Sequence, residues 1–204
     1  MVRNVIFDLC GPIITIDIRR IDQSLHRLGA TAEEPYIELY RAGVTKLFES
    51  NAMSPHAFFD SVRFLLNISA SNDDIANAWN SLIVNFDLRH AAFVQQIHAN
   101  HPTFLLSNSD IVNARHFHHF LNTRAGFPFI EQCFNQVYFS YSVGMRKPDP
   151  SSFRHVVEQN GLKAEETLVI DDCLKHCLGA REAGLQAHHL VPGQGILQLT
   201  HLIN

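Results

Sequence analysis

Three short runs along the chain share one design: uninterrupted apolar residues that stop in polar ones. Residues 5–7 (VIF) run into Asp8, residues 103–106 (TFLL) into Ser107 and Asn108, and residues 168–170 (LVI) into Asp171 and Asp172. A continuous apolar run of this length, with no alternation, predicts a strand buried on both faces of a parallel sheet. Residues 137–140 (VYFS) and 186–191 (QAHHLV) predict two more strands. Helical periods fill the gaps. Ile111, Ala114, Phe117 and Leu121 recur at helical spacing. Asp149 before Pro150 predicts an N-cap with proline at the first helical position, and that helix stops at Gly161. A further helix over about 174–183 ends at Gly184. Strands alternating with helices predict an α/β fold around a parallel sheet.

Residues 16 to about 90 differ. Ile18, Ile21, Leu25 and Leu28 precede Gly29; Ser54-Pro55 opens a helix carrying Phe58, Val62 and Leu65; "SNDD" (71–74) resembles a capping box ahead of Ile75, Ala78, Trp79 and Leu82. The segment is expected to be helical throughout. It therefore reads as a helical subdomain inserted after the first strand, over 16–90, with residues 1–15 and 91–204 forming the core. The length of 204 residues, 46% of them hydrophobic, accommodates one core with such an insertion.

Charge narrows the partners. The net charge is −4 and no Lys/Arg-rich run occurs, so neither nucleic acid nor an anionic membrane is the expected partner. No apolar run reaches the roughly 18 residues of a membrane span. "MVRNVIFD" is strand-like rather than a signal peptide. The four cysteines (Cys10, Cys133, Cys173, Cys177) lack CxxC pairing, and a reducing cytoplasmic setting is expected. The thirteen histidines are scattered, without metal-site spacing.

Chemistry concentrates at strand ends. In an open parallel sheet, ligands bind beyond the carboxyl ends of the strands at a switch in strand order. Asp8, Ser107, Asp171 and Asp172 all stand at such ends and can meet there. Crowded carboxylates raise one another's pKa. A divalent cation relieves the crowding, and hard oxygen donors suit Mg²⁺. Lys147, in "GMRKPDP", is held extended by Pro148 and can bind a phosphate or balance the acids. Taken singly, each acid also fits a helix N-cap, and Lys147 a solvated lysine.

These residues, in this order, resemble the haloacid dehalogenase (HAD) superfamily. "VIFDLCG", "FLLSNSD", Lys147 in "RKPDP" and "VIDDCLKHCLGAREAG" match its four motifs across nearly the whole chain. "FESNAMSPHAF" (48–58), Trp79 and "YFSYSVGMRKPDP" (138–150) resemble the branch containing α-glucose-1-phosphatase and the phosphatase domain of soluble epoxide hydrolases. The resemblance implies a Rossmann-like parallel sheet with helices on both faces and an inserted all-α cap. It also implies a Mg²⁺-dependent phosphatase of small phosphorylated, sugar phosphate-like metabolites. Asp8 would be the nucleophile and form an aspartyl phosphate. Ser107, Asn108 and Lys147 would bind the phosphoryl group. Mg²⁺ would be held by Asp8, the backbone carbonyl of Cys10 and Asp172, with Asp171 supporting it from behind.

Three positions depart from the family pattern. Cys10 stands where most family phosphatases have a general acid, His176 where the fourth motif has Asp or Asn, and Pro12 in place of a small or β-branched residue. Cys10 keeps two other readings open: a slow or inactive HAD-fold binding protein, and a 2-haloacid dehalogenase, whose halide leaves unprotonated. Arg20, Arg41, Lys46, Glu49 and His56 are the cap residues that could select substrate.

Overall fold

Strand β1 (Asn4–Phe7) is buried along its whole length in the computed structural model, which describes residues 1–203. Its side chains alternate between two cores: Val5 and Phe7 belong to the larger, Ile6 to the smaller. Burial on both faces explains why the run has no polar alternation. After β1 the chain turns into β2 (Ile14–Ile16), then through α1 (Arg19–Arg27), α2 (Pro35–Arg41), α3 (Val44–Glu49), α4 (Pro55–Leu66) and α5 (Asn72–Asn80) to β3 (Ile83–Phe86). The remainder alternates: α6 (Leu88–His98), β4 (Thr103–Ser107), α7 (Ile111–Ala125), α8 (Phe129–Cys133), β5 (Gln136–Phe139), α9 (Ser140–Val143), α10 (Pro150–Gln159), β6 (Thr167–Asp171), α11 (Leu174–Glu182), β7 (Gln186–His189) and α12 (Thr200–Ile203).

Five strands form one parallel sheet in the order β5-β4-β1-β6-β7. Strand order reverses at β1, which lies between β4 and β6, so the switch point falls at the end of β1. Phe7 pairs with Leu105 on one side and Ile170 on the other, which sets Asp8 level with Asp171 and one step below Ser107. On one face the sheet packs against Phe117, Leu121 and Phe129, on the other against Phe153, Val156 and Ala180.

The expectation that residues 16–90 are helical throughout needs one correction. Ile83–Phe86 is a strand, antiparallel to Ile14–Ile16. Four residues are too few to show a period, and the pairing depends on a partner distant in sequence. The resulting ribbon is the stalk from which α1–α5 extend. The capping box is as read: Ser71 Oγ accepts from Asp74 N–H while the Asp74 carboxylate accepts from Ser71 N–H.

Candidate active site

The end of β1 is held in register by Asp8 N–H, which donates to the Ile170 carbonyl (2.9 Å). Asp8 is buried, and its Oδ1 accepts from Leu9 N–H (2.7 Å). The chain then turns at Gly11, whose φ of +101° is unfavourable for any residue with a side chain. A Cβ at this glycine would fall 2.1 Å from Asp172 Oδ2, so the glycine also makes room for the Asp172 carboxylate.

Lys147 is the centre of the charge arrangement. It is 1% exposed, and its Nζ lies 2.9 Å from Asp8 Oδ1 and 2.6 Å from Asp171 Oδ2. Two neighbours place it. The Asn108 side chain donates to the Lys147 carbonyl and accepts from its N–H, both at 2.9 Å. Helix α11 passes so close that a Cβ on Gly179 would lie 1.9 Å from the Pro148 carbonyl oxygen. His176 Nδ1 sits 3.0 Å from both oxygens of Asp171, which also accepts from Cys173 N–H (2.8 Å). The Ser107 hydroxyl lies 3.2 Å from the Ser109 hydroxyl at the end of β4.

Burial raises the pKa of Asp8, Lys147 opposes the rise, and the charge of Asp171 adds to it. Burial acts the same way on Asp171, but the charge of Lys147 and the hydrogen bond from His176 outweigh it and hold Asp171 below the usual carboxylate range. Burial alone would lower the Lys147 pKa; the two carboxylates overcome that and keep it protonated. Asp172 is raised by desolvation and by Asp171. Burial, with Asp8, pushes the Cys10 thiol well above its ordinary value, so Cys10 is neither a thiolate nor a useful proton donor.

The residues present fit a hard cation. Among the described residues, Asp8 Oδ2 and the Cys10 carbonyl receive no protein hydrogen bond, and the Asp172 carboxylate receives one only from its own backbone N–H. Oxygen donors of this kind around one turn suit Mg²⁺. The tightest ligand grouping is a different one: Asp8, Asp171 and His176 have donor atoms within 4.8 Å of one another. Lys147 already lies between the two acids of that trio and balances them.

A pocket of about 110 Å³ lies beside the ends of β1 and β4, where they meet α2, α3 and α5. Cys10, Asn108 and Ser109 line it from the strand ends, and Tyr36, Glu49 and Trp79 from helices α2, α3 and α5. Two polar contacts join the halves. Arg146 donates to Glu49 Oε2 at 2.8 and 2.5 Å, and Trp79 Nε1 donates to Asp110 Oδ2 at 2.8 Å. Burial raises the Glu49 pKa against the pull of Arg146. Of the five cap residues singled out from sequence, only Glu49 lines this pocket. Lys46 borders a neighbouring groove of about 580 Å³ with Arg146 and Lys147. Arg20 donates to the Ile83 carbonyl, His56 pairs with Asp60, and Arg41 is exposed. Tyr36, Asp110, Asn113 and Arg146 were not singled out. For Arg146 the signal was its place in "GMRKPDP"; for the others no sequence signal marks them.

A family model for haloacid dehalogenase-like hydrolases matches residues 2–184. This covers most of the chain, and the protein belongs to that family of hydrolases. It is 24% identical over 189 residues to a D-ribitol-5-phosphate phosphatase of Bacteroides thetaiotaomicron, covering 91% of this chain and 90% of the relative. A sesquiterpene phosphatase of Aspergillus oryzae is 37% identical over 57 residues, 28% of this chain and 29% of that protein. Among solved structures, a HAD family enzyme from Bacteroides thetaiotaomicron in complex with magnesium and inorganic phosphate superposes with a TM-score of 0.87 at 26% identity, over 100% of both chains. An L-2-haloacid dehalogenase from Xanthobacter autotrophicus superposes with a TM-score of 0.62 at 20% identity, over 93% of this chain and 78% of the other, a likeness of fold alone.

Proposed function

We propose that this hydrolase is a Mg²⁺-dependent phosphatase of small phosphorylated, sugar phosphate-like metabolites. The observation that carries the reading is the buried Asp8–Lys147–Asp171 array, set at the switch point beside Ser107 and Asn108. The relatives support it, since both are phosphatases and one acts on a phosphorylated sugar alcohol. The Asp8 carboxylate attacks phosphorus and displaces the substrate's alcohol, which takes its proton from solvent; water then hydrolyses the aspartyl phosphate and releases inorganic phosphate. Lys147, the Ser107 hydroxyl and the Asn108 N–H hold the phosphoryl oxygens. Asp171 fixes Lys147 and, with His176 behind it, supports the metal site from the second layer. Asp8, the Cys10 carbonyl and Asp172 would hold Mg²⁺, which would supply positive charge against the charge that develops on phosphate. Residues 16–90 act as a cap over a core of residues 1–15 and 91–204, and exclude bulk water.

The test is a panel of small phosphate esters assayed with Mg²⁺ and with EDTA. Turnover that EDTA removes and Mg²⁺ restores is expected. No turnover of any ester with Mg²⁺ present would instead favour a binding protein, the second reading, which rests on the Cys10 thiol standing in the general-acid position and on His176 in the fourth motif. The same thiol motivates a substitution. General acid–base help contributes roughly 10²–10⁴-fold, so Cys10→Asp is expected to raise kcat on alkyl phosphates and to leave aryl phosphates, whose leaving groups need no proton, nearly unchanged. Equal effects on both ester classes would show that proton transfer was not limiting.

A further inference from the structure

The pocket beside the ends of β1 and β4 is walled largely by hydrocarbon. Ile16, Ile18, Ile21, Trp79, Leu82 and Phe117 line it, from β2, α1, α5, α7 and the turns next to them. Tyr36 adds its ring, which lies against Trp79 with the centroids 5.7 Å apart.

The polar residues on the same pocket are mostly committed elsewhere. Asn108 spends both side-chain polar atoms on the main chain of Lys147. Trp79 Nε1 and Asn113 Nδ2 both donate to Asp110, and Asn113 Oδ1 is buried without a partner and out of reach. The Ser109 hydroxyl lies against that of Ser107. Arg146 occupies Glu49 Oε2. Apart from the Cys10 thiol, a weak donor, this leaves Glu49 Oε1 and the Tyr36 hydroxyl without a partner among the described residues. Both belong to α2 and α3; the walls from β2, α1, α5 and α7 offer no free polar group.

A polyol entering this space meets those walls with hydroxyls that find no partner, which is penalised when they leave water. A hydrocarbon group carries no such penalty and gains from burial. The volume sets its size. At about 110 Å³ the pocket is somewhat smaller than the roughly 150 Å³ apolar cavity that takes benzene. Cys10 stands two residues beyond Asp8, and Asn108 follows Ser107, so the pocket adjoins the place where the phosphoryl group is held.

We propose a further activity of this site: hydrolysis of short branched alkyl or alkenyl phosphates, whose apolar group of about four or five carbons fills the pocket. The inference rests on the phosphatase reading and assigns the pocket to esters poorer in hydroxyls than a sugar phosphate. The reaction consumes one water and releases the alcohol and inorganic phosphate.

The experiment compares kcat/KM, with Mg²⁺, for two esters of one shape. In 2,3-dihydroxypropyl phosphate two hydroxyls stand where 2-methylbutyl phosphate has two methyl groups. The hydroxyls make the first the better leaving group, so a preference for the second comes from the pocket. The wild type is expected to prefer the 2-methylbutyl ester by roughly tenfold to a hundredfold, the scale of two methyl groups taken from water. Ile18→Asn is the matching variant. Ile18 is 39% exposed and is the N-cap of α1, where Asn is a preferred residue, so the change spares the fold. It is expected to lower the ratio at least about threefold. Weakened folding or phosphate binding would slow both esters alike and leave the ratio unchanged. Wild-type turnover without a preference, or with the dihydroxy ester preferred, overturns the inference, and so does an unchanged ratio in the variant. These results leave the phosphatase reading standing, as does turnover of other esters but neither of these two, which also overturns the inference. Absence of turnover of every ester overturns both.

Discussion

Asp8→Asn removes ester hydrolysis, by roughly 10⁶-fold, the scale seen when a catalytic nucleophile is deleted, while metal-free protein melts no lower at neutral pH than the wild type. The first half follows from the place of Asp8 at the switch point, with one oxygen tied to Leu9 N–H and Lys147 and the other free of protein donors. An amide there has no nucleophilic oxygen anion. The second half follows from linkage. Burial and the charge of Asp171 raise the folded-state pKa of Asp8 above its unfolded value. A group raised in this way contributes stability that is fully present below its unfolded pKa, near 4, and lost as pH rises through the folded value. With the folded value pushed up to about 7, the part of Asp8 that is ionised at neutral pH is thus a destabilising charge in protein without metal. Asn keeps the shape, and Lys147 retains Asp171 at 2.6 Å. Thermal melts in EDTA from pH 4 to 8 should show the wild-type Tm falling with pH more steeply than the variant's. A variant melting several degrees lower at pH 7 would mean that the Asp8–Lys147 pair is net stabilising.

How much of this was legible in the sequence depends on the distance over which each feature is decided. Asp8, Ser107 and Asp171 could be read because each ends an apolar run, and a strand buried on both faces leaves no alternation to confuse it. Lys147 could be read from the proline and the helix start that follow it. The partners of these residues could not. Asn108 could be placed at the end of its strand as a phosphate ligand, yet its side chain is what clamps the main chain of Lys147, 39 positions away. The Glu49–Arg146 contact joins residues 97 apart, one on α3 and one in the loop before α10. An acceptor left bare, as at Asn113, is defined by what fails to reach it, and only packing decides that. The missed strand Ile83–Phe86 has the same cause, since its pairing partner lies on the far side of helices α1–α5 in sequence.

Lys147→Met, which keeps the stem and removes the charge, is expected to lower stability at pH 7 by about 3–5 kcal/mol, the range for deleting one partner of a buried ion pair, and to slow turnover by at least roughly 10²–10³-fold. The ammonium is 1% exposed and lies within 3 Å of two carboxylates that have no Lys or Arg side chain other than Lys147 at that distance among the described residues. Without it the two acids face each other in a desolvated site. The pH dependence separates this explanation from simple loss of packing. In the wild type Asp171 is held below its ordinary pKa, so its contribution is present above its unfolded pKa of about 4 and is lost as pH falls toward the lowered value. In Lys147→Met the main opposing charge is gone, burial and mutual repulsion raise both acids, and the sign reverses: the variant regains stability as pH falls from 7 toward 5, where an acid proton replaces the missing ammonium. Urea unfolding at pH 7 and pH 5 measures the difference directly. A stability gap between the two proteins that stays constant over that range would assign the loss to packing of the lysine stem rather than to its charge.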